Sequence, residues 1–284
     1  TSAVAGATFA WTRALVAGIS QAATSGTGVV SETLTNTTTA PIAVTYAYTT
    51  TANGCSSTPQ NVIVTVNPTP VLSSSLTPPA ICSATTFTYT PTSATAGATF
   101  AWTRALVAGI SQAASSGTGG ISETLTNTTT APIVVTYAIT TTANGCSDAP
   151  QNVTVTVNPI PSLSSTLTPL GICSATTFTY TPTSAVAGAT FAWTRAAVLG
   201  ISQAAAAGAG AVSETLTNTT TAPIVVTYAY TTTANGCSNA PQNVTVTVNS
   251  IPALSSTLTP PAICSATTFS YTATSATAGA TFSW

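Results

Sequence analysis

The chain has 284 residues, of which 2% are charged: three Arg, four acidic groups, and no Lys, His or Met, against about a quarter charged in an ordinary soluble domain. That excludes a basic patch able to neutralise phosphates, and so nucleic-acid binding, and it removes the His and Lys of Ser-His-Asp, Cys-His and Schiff-base catalysis. No apolar run reaches the ~18 residues of a membrane span, and no phosphate-binding Gly motif precedes a helix, so no membrane span, cofactor or enzyme activity is expected.

In chain order, the first element is a repeat. Thr1-Ser2-Ala3-Val4-Ala5-Gly6-Ala7-Thr8-Phe9-Ala10-Trp11 returns as close copies from Thr92, Thr183 and Thr274, a period of 91 residues. Arrays of near-identical domains span distance or polymerise, and rarely catalyse. The chain begins partway through one repeat and leaves the fourth after eleven residues, so a longer array is expected. Asn67-Pro68-Thr69-Pro70 and Asn158-Pro159-Ile160-Pro161 punctuate it, since proline cannot continue a central ladder. They predict domains at 69–159 and 160–250, a partial domain at 1–68 without its first strands, and one at 251–284 with first strands only.

Within 69–159 the pattern is that of short strands. Phe87 and Tyr89 share one face, then Phe100 and Trp102 share the next. Residues 105–120, with glycines at 109, 117, 119 and 120, are a variable loop or edge, since a long helix there is costly. Ile133, Val135, Tyr137 and Ile139 alternate with Val134, Thr136, Ala138 and Thr140, and Val153, Val155 and Val157 alternate with Thr154 and Thr156. Such alternation suits sheets with one buried and one wet face, and β-branched residues fit a pleated surface. About seven strands in ~90 residues, with a Trp on an early strand, predict an all-β, immunoglobulin-like sandwich.

The polar residues offer few sites. Arg13 and Glu32, Arg104 and Glu123, and Arg195 and Glu214 are the recurrent opposite charges, 19 residues apart in every repeat. They are candidate ion pairs, either between strands of one domain or between domains; an exposed pair would contribute about 0–1 kcal/mol. Trp11, Trp102, Trp193 and Trp284 read as core residues, with sugar stacking as the alternative. Asn36, Asn127 and Asn218 precede Thr-Thr, and Asn152 and Asn243 lie in Asn-Val-Thr; all five match the N-glycosylation pattern. Sugar would hydrate a surface short of charge, and O-linked sugar on Thr and Ser would serve equally.

The cysteines lie at 55, 82, 146, 173, 237 and 264, with alternating gaps of 27 and 64 residues. Two per period without His or acidic clusters argue for disulfides over metal sites, hence a secreted or surface-exposed chain. Two schemes are open. One staples each sandwich, Cys82 to Cys146 and Cys173 to Cys237, and leaves Cys55 and Cys264 to neighbouring repeats. The other braces the junctions, joining Cys55 to Cys82, Cys146 to Cys173 and Cys237 to Cys264.

Cys82-Ser83, Phe100-Ala101-Trp102, the Tyr137 strand, Asn144-Gly145-Cys146 and Val153-Thr154-Val155-Thr156-Val157-Asn158-Pro159 together resemble the PKD-like, immunoglobulin-like repeats of large secreted surface proteins of gliding-type bacteria. The resemblance covers every period and implies a cysteine pair within each fold, which favours the stapling scheme. One departure is Thr103-Arg104 after Trp102, where such domains carry an Asp/Gly-rich turn, so a calcium turn is not expected. The expected role is a segment of an extracellular fibre or stalk, extended by self-association or by covalent continuation. The alternatives are an adhesin reading polysaccharide through its 105–120 loops, and a passive spacer in a giant secreted protein.

Overall fold

The computed structural model of the protein describes residues 1–284. It is all-β, with 21 strands and no helix. Contacts divide it into two compact units: Thr1–Asn127 with Ile133–Val157, and Thr128–Pro132 with Asn158–Trp284.

The first unit contains one complete sandwich. Its larger sheet runs in the order Ile81–Cys82, Gln151–Asn158, Ile133–Ala143, Thr99–Arg104, Ser115–Thr118, and Cys146–Ser147 also pairs with Ile133–Ala143. The second sheet pairs Ile121–Leu125 with Thr85–Tyr89, antiparallel, placing Glu123 opposite Phe87. The period-2 reading of the sequence holds residue by residue: Val135, Tyr137, Ile139, Val153, Val155 and Val157 are fully buried. They meet Phe87, Ile121 and Leu125 of the second sheet in one core. Each such side chain contributes about 1.5–3 kcal/mol by leaving water, so the core outweighs any surface polar contact. The 105–120 stretch is mostly loop, but it carries Ser115–Thr118, the edge strand of the larger sheet. Asn144 and Gly145 both have positive φ, 51° and 79°, in a two-residue turn that sets Ala143 opposite Cys146. That is the backbone demand that selects Asn-Gly in tight hairpins.

The same unit holds residues 1–68, which build only one sheet: Thr24–Thr27, Thr8–Arg13, Ile42–Ala52 and Cys55–Ser56, with Gln60–Val66 on Ile42–Ala52. Its core is small, Trp11, Ile19, Val44 and Tyr46, and Val62 and Val64 remain exposed.

The second unit repeats the complete sandwich. Its larger sheet orders Ile172–Cys173, Gln242–Asn249, Ile224–Ala234, Thr190–Arg195, Ala206–Ala209, and Thr176–Tyr180 pairs with Val212–Leu216. Residues 251–284 form no strand; a single bridge joins Leu254 to Ser275.

The stapling scheme for the cysteines is corrected here. Cys82 and Cys237 are disulfide-bonded, while Cys55, Cys146, Cys173 and Cys264 are free thiols. Neither Cys82–Cys146 nor Cys173–Cys237 is therefore formed, and the junction-bracing scheme is not formed either. The reason is visible in the second unit. Cys173 lies beside Asn249, at the end of the sheet where Val248 faces Ile224. Cys237 faces Ala234, the last residue of that same long strand. Ten residues of strand separate the two levels, roughly 33 Å, against the ~7 Å limit between Cα atoms for a disulfide.

Candidate functional site

A polar constellation built alike in all three repeats surrounds the arginines. On Thr99–Arg104, Phe100, Trp102 and Arg104 share a face, and on Ile121–Leu125 so do Ile121, Glu123 and Leu125. Both charges therefore project into the sandwich. Arg104 is 2% exposed. Its Nε donates to Glu123 Oε2 at 2.9 Å, and its Nη2 donates to Glu123 Oε1 at 3.4 Å and to the Ala113 carbonyl at 2.6 Å. Tyr137 donates its hydroxyl to the same Glu123 Oε2 at 2.5 Å. In the next repeat Arg195, Glu214 and Tyr228 reproduce this at 2.9 Å and 2.6 Å. Arg13, Glu32 and Tyr46 do so at 3.0 Å and 2.5 Å.

The ion pairs thus lie between strands or loops of one repeat, not between repeats. The pairs are not exposed ones: the arginine side chains are at most 1% accessible and the carboxylates 17–18%. Removing one partner of such a pair strands the other charge in the core, which costs about 3–5 kcal/mol.

Burial pushes the Glu123 carboxyl up, but the hydrogen bonds from Arg104 and Tyr137 outweigh it and leave the group below the usual carboxylate range. Glu214 is lowered by the same balance between burial and its Arg195 and Tyr228 partners. Glu32 is lowered chiefly by its hydrogen bond from Arg13. Burial, followed by the hydrogen bond to Glu123, raises the Tyr137 phenol above its ordinary value. A carboxylate held ionised by two donors is a poor proton carrier. The constellation's chemistry is that of a fastener between the two sheets.

The tryptophans are core residues, not open platforms. Trp102 packs edge-on to Tyr137 at 5.7 Å between ring centroids, and Phe87 stacks on Tyr137 at 5.3 Å. Gly117 forms the floor beneath Trp102: a Cβ there would stand 2.7 Å from Cζ2 of the indole. Gly26 and Gly208 hold the same place under Trp11 and Trp193. Trp284, by contrast, is fully exposed.

The glycosylation candidates divide. Asn127 and Asn218 are buried, and their side-chain amides donate to the Val157 and Val248 carbonyls, each at 2.9 Å. Asn36 does likewise to Val66 at 2.8 Å. These nitrogens tie a loop to the last strand, so the folded repeat cannot present them to a sugar donor. Asn152 and Asn243 are exposed on their strands. Sequence reasoning missed the partner of this knot: Ser83 Oγ accepts from Asn127 N at 2.9 Å, and Ser174 Oγ does so from Asn218 N at 2.9 Å. The only signal was the recurrence of Cys-Ser and Asn-Thr-Thr with the period. No three Cys, Asp or Glu side chains converge.

Comparisons with known proteins follow the same lines. The model of the PKD-like domain family matches residues 1–70, 79–161 and 171–252. No curated protein matches the sequence. Among solved structures, the chain is similar to extracellular domains 3–5 of Drosophila OTK, with 12% identity and a TM-score of 0.34 over 86% of this chain and 85% of that one. An I-band fragment of titin gives 8%, 0.38, 87% and 89% on the same measures, and mouse Cadherin-23 EC22-24 gives 12%, 0.30, 74% and 74%.

Proposed function

Because the chain belongs to the PKD-like domain family, we propose that it is a structural segment of an extracellular fibre or stalk, with each repeat serving as one stiff link. The observation that carries this reading is the Arg–Glu–Tyr fastener. The recurrent charged groups are spent inside each repeat, and in the two complete sandwiches they hold one sheet to the other. Matching fasteners in the two complete sandwiches close successive links in the same way, as a filament under tension requires. Disulfide-bonded Cys82 and Cys237 support an oxidising, extracytoplasmic setting. Attached sugar on the Thr-rich surface would supply the hydration that charge does not.

A second reading, adhesion, draws on the loops that follow the Trp strands, where Leu15, Leu106 and Leu199 are all exposed. Apolar tips on matching loops of successive repeats could bind a repetitive ligand such as a surface polysaccharide.

Electron microscopy of native material labelled with antibody to the repeat separates the two. The fibre reading predicts a continuous, regular filament with a spacing of about 40 Å per repeat, the length of strands of this size. Isolated flexible beads, together with saturable glycan binding that is lost on Leu106→Ser, would replace it with the adhesin reading.

A further inference from the structure

A sheet edge is a row of unpaired backbone groups, and proteins that do not pair through it blunt it with charge, proline, a bulge or a covering segment. In the two complete sandwiches one edge of the larger sheet is covered. Ile81–Cys82 lies along Gln151–Asn158, and the Leu76 carbonyl accepts from Thr154 N at 2.9 Å. Ile172–Cys173 and the Leu167 carbonyl do the same for Gln242–Asn249, again at 2.9 Å. In the second sheet, Ile121–Leu125 carries the inward-pointing Glu123, and an inward charge is itself a guard against pairing.

The opposite edge of the larger sheet lacks all of these. It is formed by Ser115–Thr118, with Thr24–Thr27 and Ala206–Ala209 as its counterparts in the other repeats. Residues 113–120, 22–29 and 204–211 contain neither a charge nor a proline. Yet the strand is held firmly from within. Arg104 Nη2 donates to the Ala113 carbonyl at 2.6 Å, Gly117 lies against the Trp102 ring, and Gly119 N donates to the Phe100 carbonyl at 2.9 Å. The other repeats copy these ties. Arg195 reaches the Ala204 carbonyl at 2.6 Å and Arg13 that of Ala22, while Gly210 N and Gly28 N donate to Phe191 and Phe9, each at 2.9 Å. Bonding to a neighbour alternates along an antiparallel strand, so the Gly119 bond turns the backbone of Gly117 and Ser115 toward the Trp strand as well. The N–H and C=O groups of Ser116 and Thr118 therefore point away from the sheet, and no backbone group of the chain meets them. Both side chains are exposed.

We propose that this edge pairs, antiparallel, with the same edge of a second copy of the chain, so that two larger sheets join into one. The strand is complementary to itself. With a two-fold axis at Gly117, Ser116 of one copy stands opposite Thr118 of the other, and each such pair exchanges N–H···O bonds in both directions. Their hydroxyls meet on the outer face as a Ser–Thr cross-strand pair, and Gly117 has no side chain at the axis to hold the backbones apart. Ser25 and Thr27 keep the hydroxyls, while Ala207 and Ala209 keep the backbone groups alone. No like charges oppose the approach, since this strand carries none. The ordering cost is low, because Arg104, Trp102 and Phe100 already fix the strand in extended form, and preorganisation lowers the cost of binding. A foreign peptide added to an edge is selected by pockets for its side chains. Two copies of this strand need only backbone and hydroxyl groups, which is what Ser116, Gly117 and Thr118 present.

The pairing joins chains side by side and does not depend on the fibre reading. Sedimentation velocity of the 284-residue chain over a concentration series tests it, with the free thiols alkylated to exclude cross-linking. Dimers and larger species should grow with concentration. The triple variant Thr27→Lys, Thr118→Lys and Ala209→Lys, all at exposed positions, should weaken association by roughly tenfold or more, since lysine on an edge opposes pairing. Glutamate at the same three positions should do the same. An equimolar mixture of the Lys and Glu variants should associate again, which misfolded chains could not do. A wild-type chain that stays monomeric at every concentration, as an edge reserved for a foreign peptide would leave it, overturns the proposal. Undiminished association of the Lys variant, or a mixture that remains monomeric, overturns it equally.

Discussion

Residues 72–93 and 254–275 have nearly the same sequence and different structures. In the complete repeat Phe87 is 2% exposed and lies on a strand; its counterpart Phe269 is 53% exposed and lies on none. The local contacts are the same in both. Leu72 bridges Ser93 as Leu254 bridges Ser275, Ser74 meets the Tyr89 hydroxyl at 2.6 Å as Ser256 meets Tyr271 at 2.7 Å, and the Phe–Tyr ring pairs stack at 6.2 Å and 6.3 Å. What is missing from 254–275 is a second strand and an opposing sheet. Short-range hydrogen bonds shape the segment, but only burial against the larger sheet makes it a ladder, as expected where an isolated edge gains too little to offset its ordering.

The comparison breaks most sharply by truncating its two members in turn. Phe87→Ala should destabilise its repeat by about 3–5 kcal/mol, whereas Phe269→Ala should stay within about 0.5 kcal/mol; calorimetry of the two variants measures both. Arg104→Ala should cost about 3–5 kcal/mol, since it leaves Glu123 buried without its cation, read as an early-melting repeat in the same scans. Gly117→Ala, which drives a methyl into the Trp102 ring, should cost about 1–3 kcal/mol, checked by the denaturant midpoint of tryptophan fluorescence.

Acid gives a smaller, signed effect. The Glu32, Glu123 and Glu214 carboxyls are lower in the fold than when free, so each contributes stability that is complete above its unfolded value of about 4.3. That stability is lost as pH falls through the lower folded value. The melting temperature should therefore hold from pH 7 to about 5 and fall below about pH 4. Glu123→Gln should flatten the part of that fall due to its own repeat.

Much of this was legible in the sequence. Period-2 alternation fixed which of Val134 and Val135 faces inward, and the repeat of Trp with 91-residue spacing pointed to a core position. The inward direction of Arg104 and Glu123 was also written there, in their two-residue spacing from Trp102, Ile121 and Leu125, but the prior for a charged residue is the surface and hid it. The cysteine connectivity was not legible, because it depends on which end of a sandwich each strand reaches. Spacings of 27 and 64 residues along the chain carry no sign of that direction. The knot of Ser83 and Asn127 was obscured for the opposite reason: in a chain so rich in Ser, Thr and Asn, no single hydroxyl or amide stands out.

Amide hydrogen exchange, resolved to short peptides across the intact chain, tests most directly the claim that a complete repeat, and not the local sequence, makes the sandwich. Thr85–Tyr89 and Thr176–Tyr180 should be protected to the same high level, while residues 267–271, of almost the same sequence, should exchange at the earliest time point. Equal protection of all three segments in the monomeric chain would contradict it.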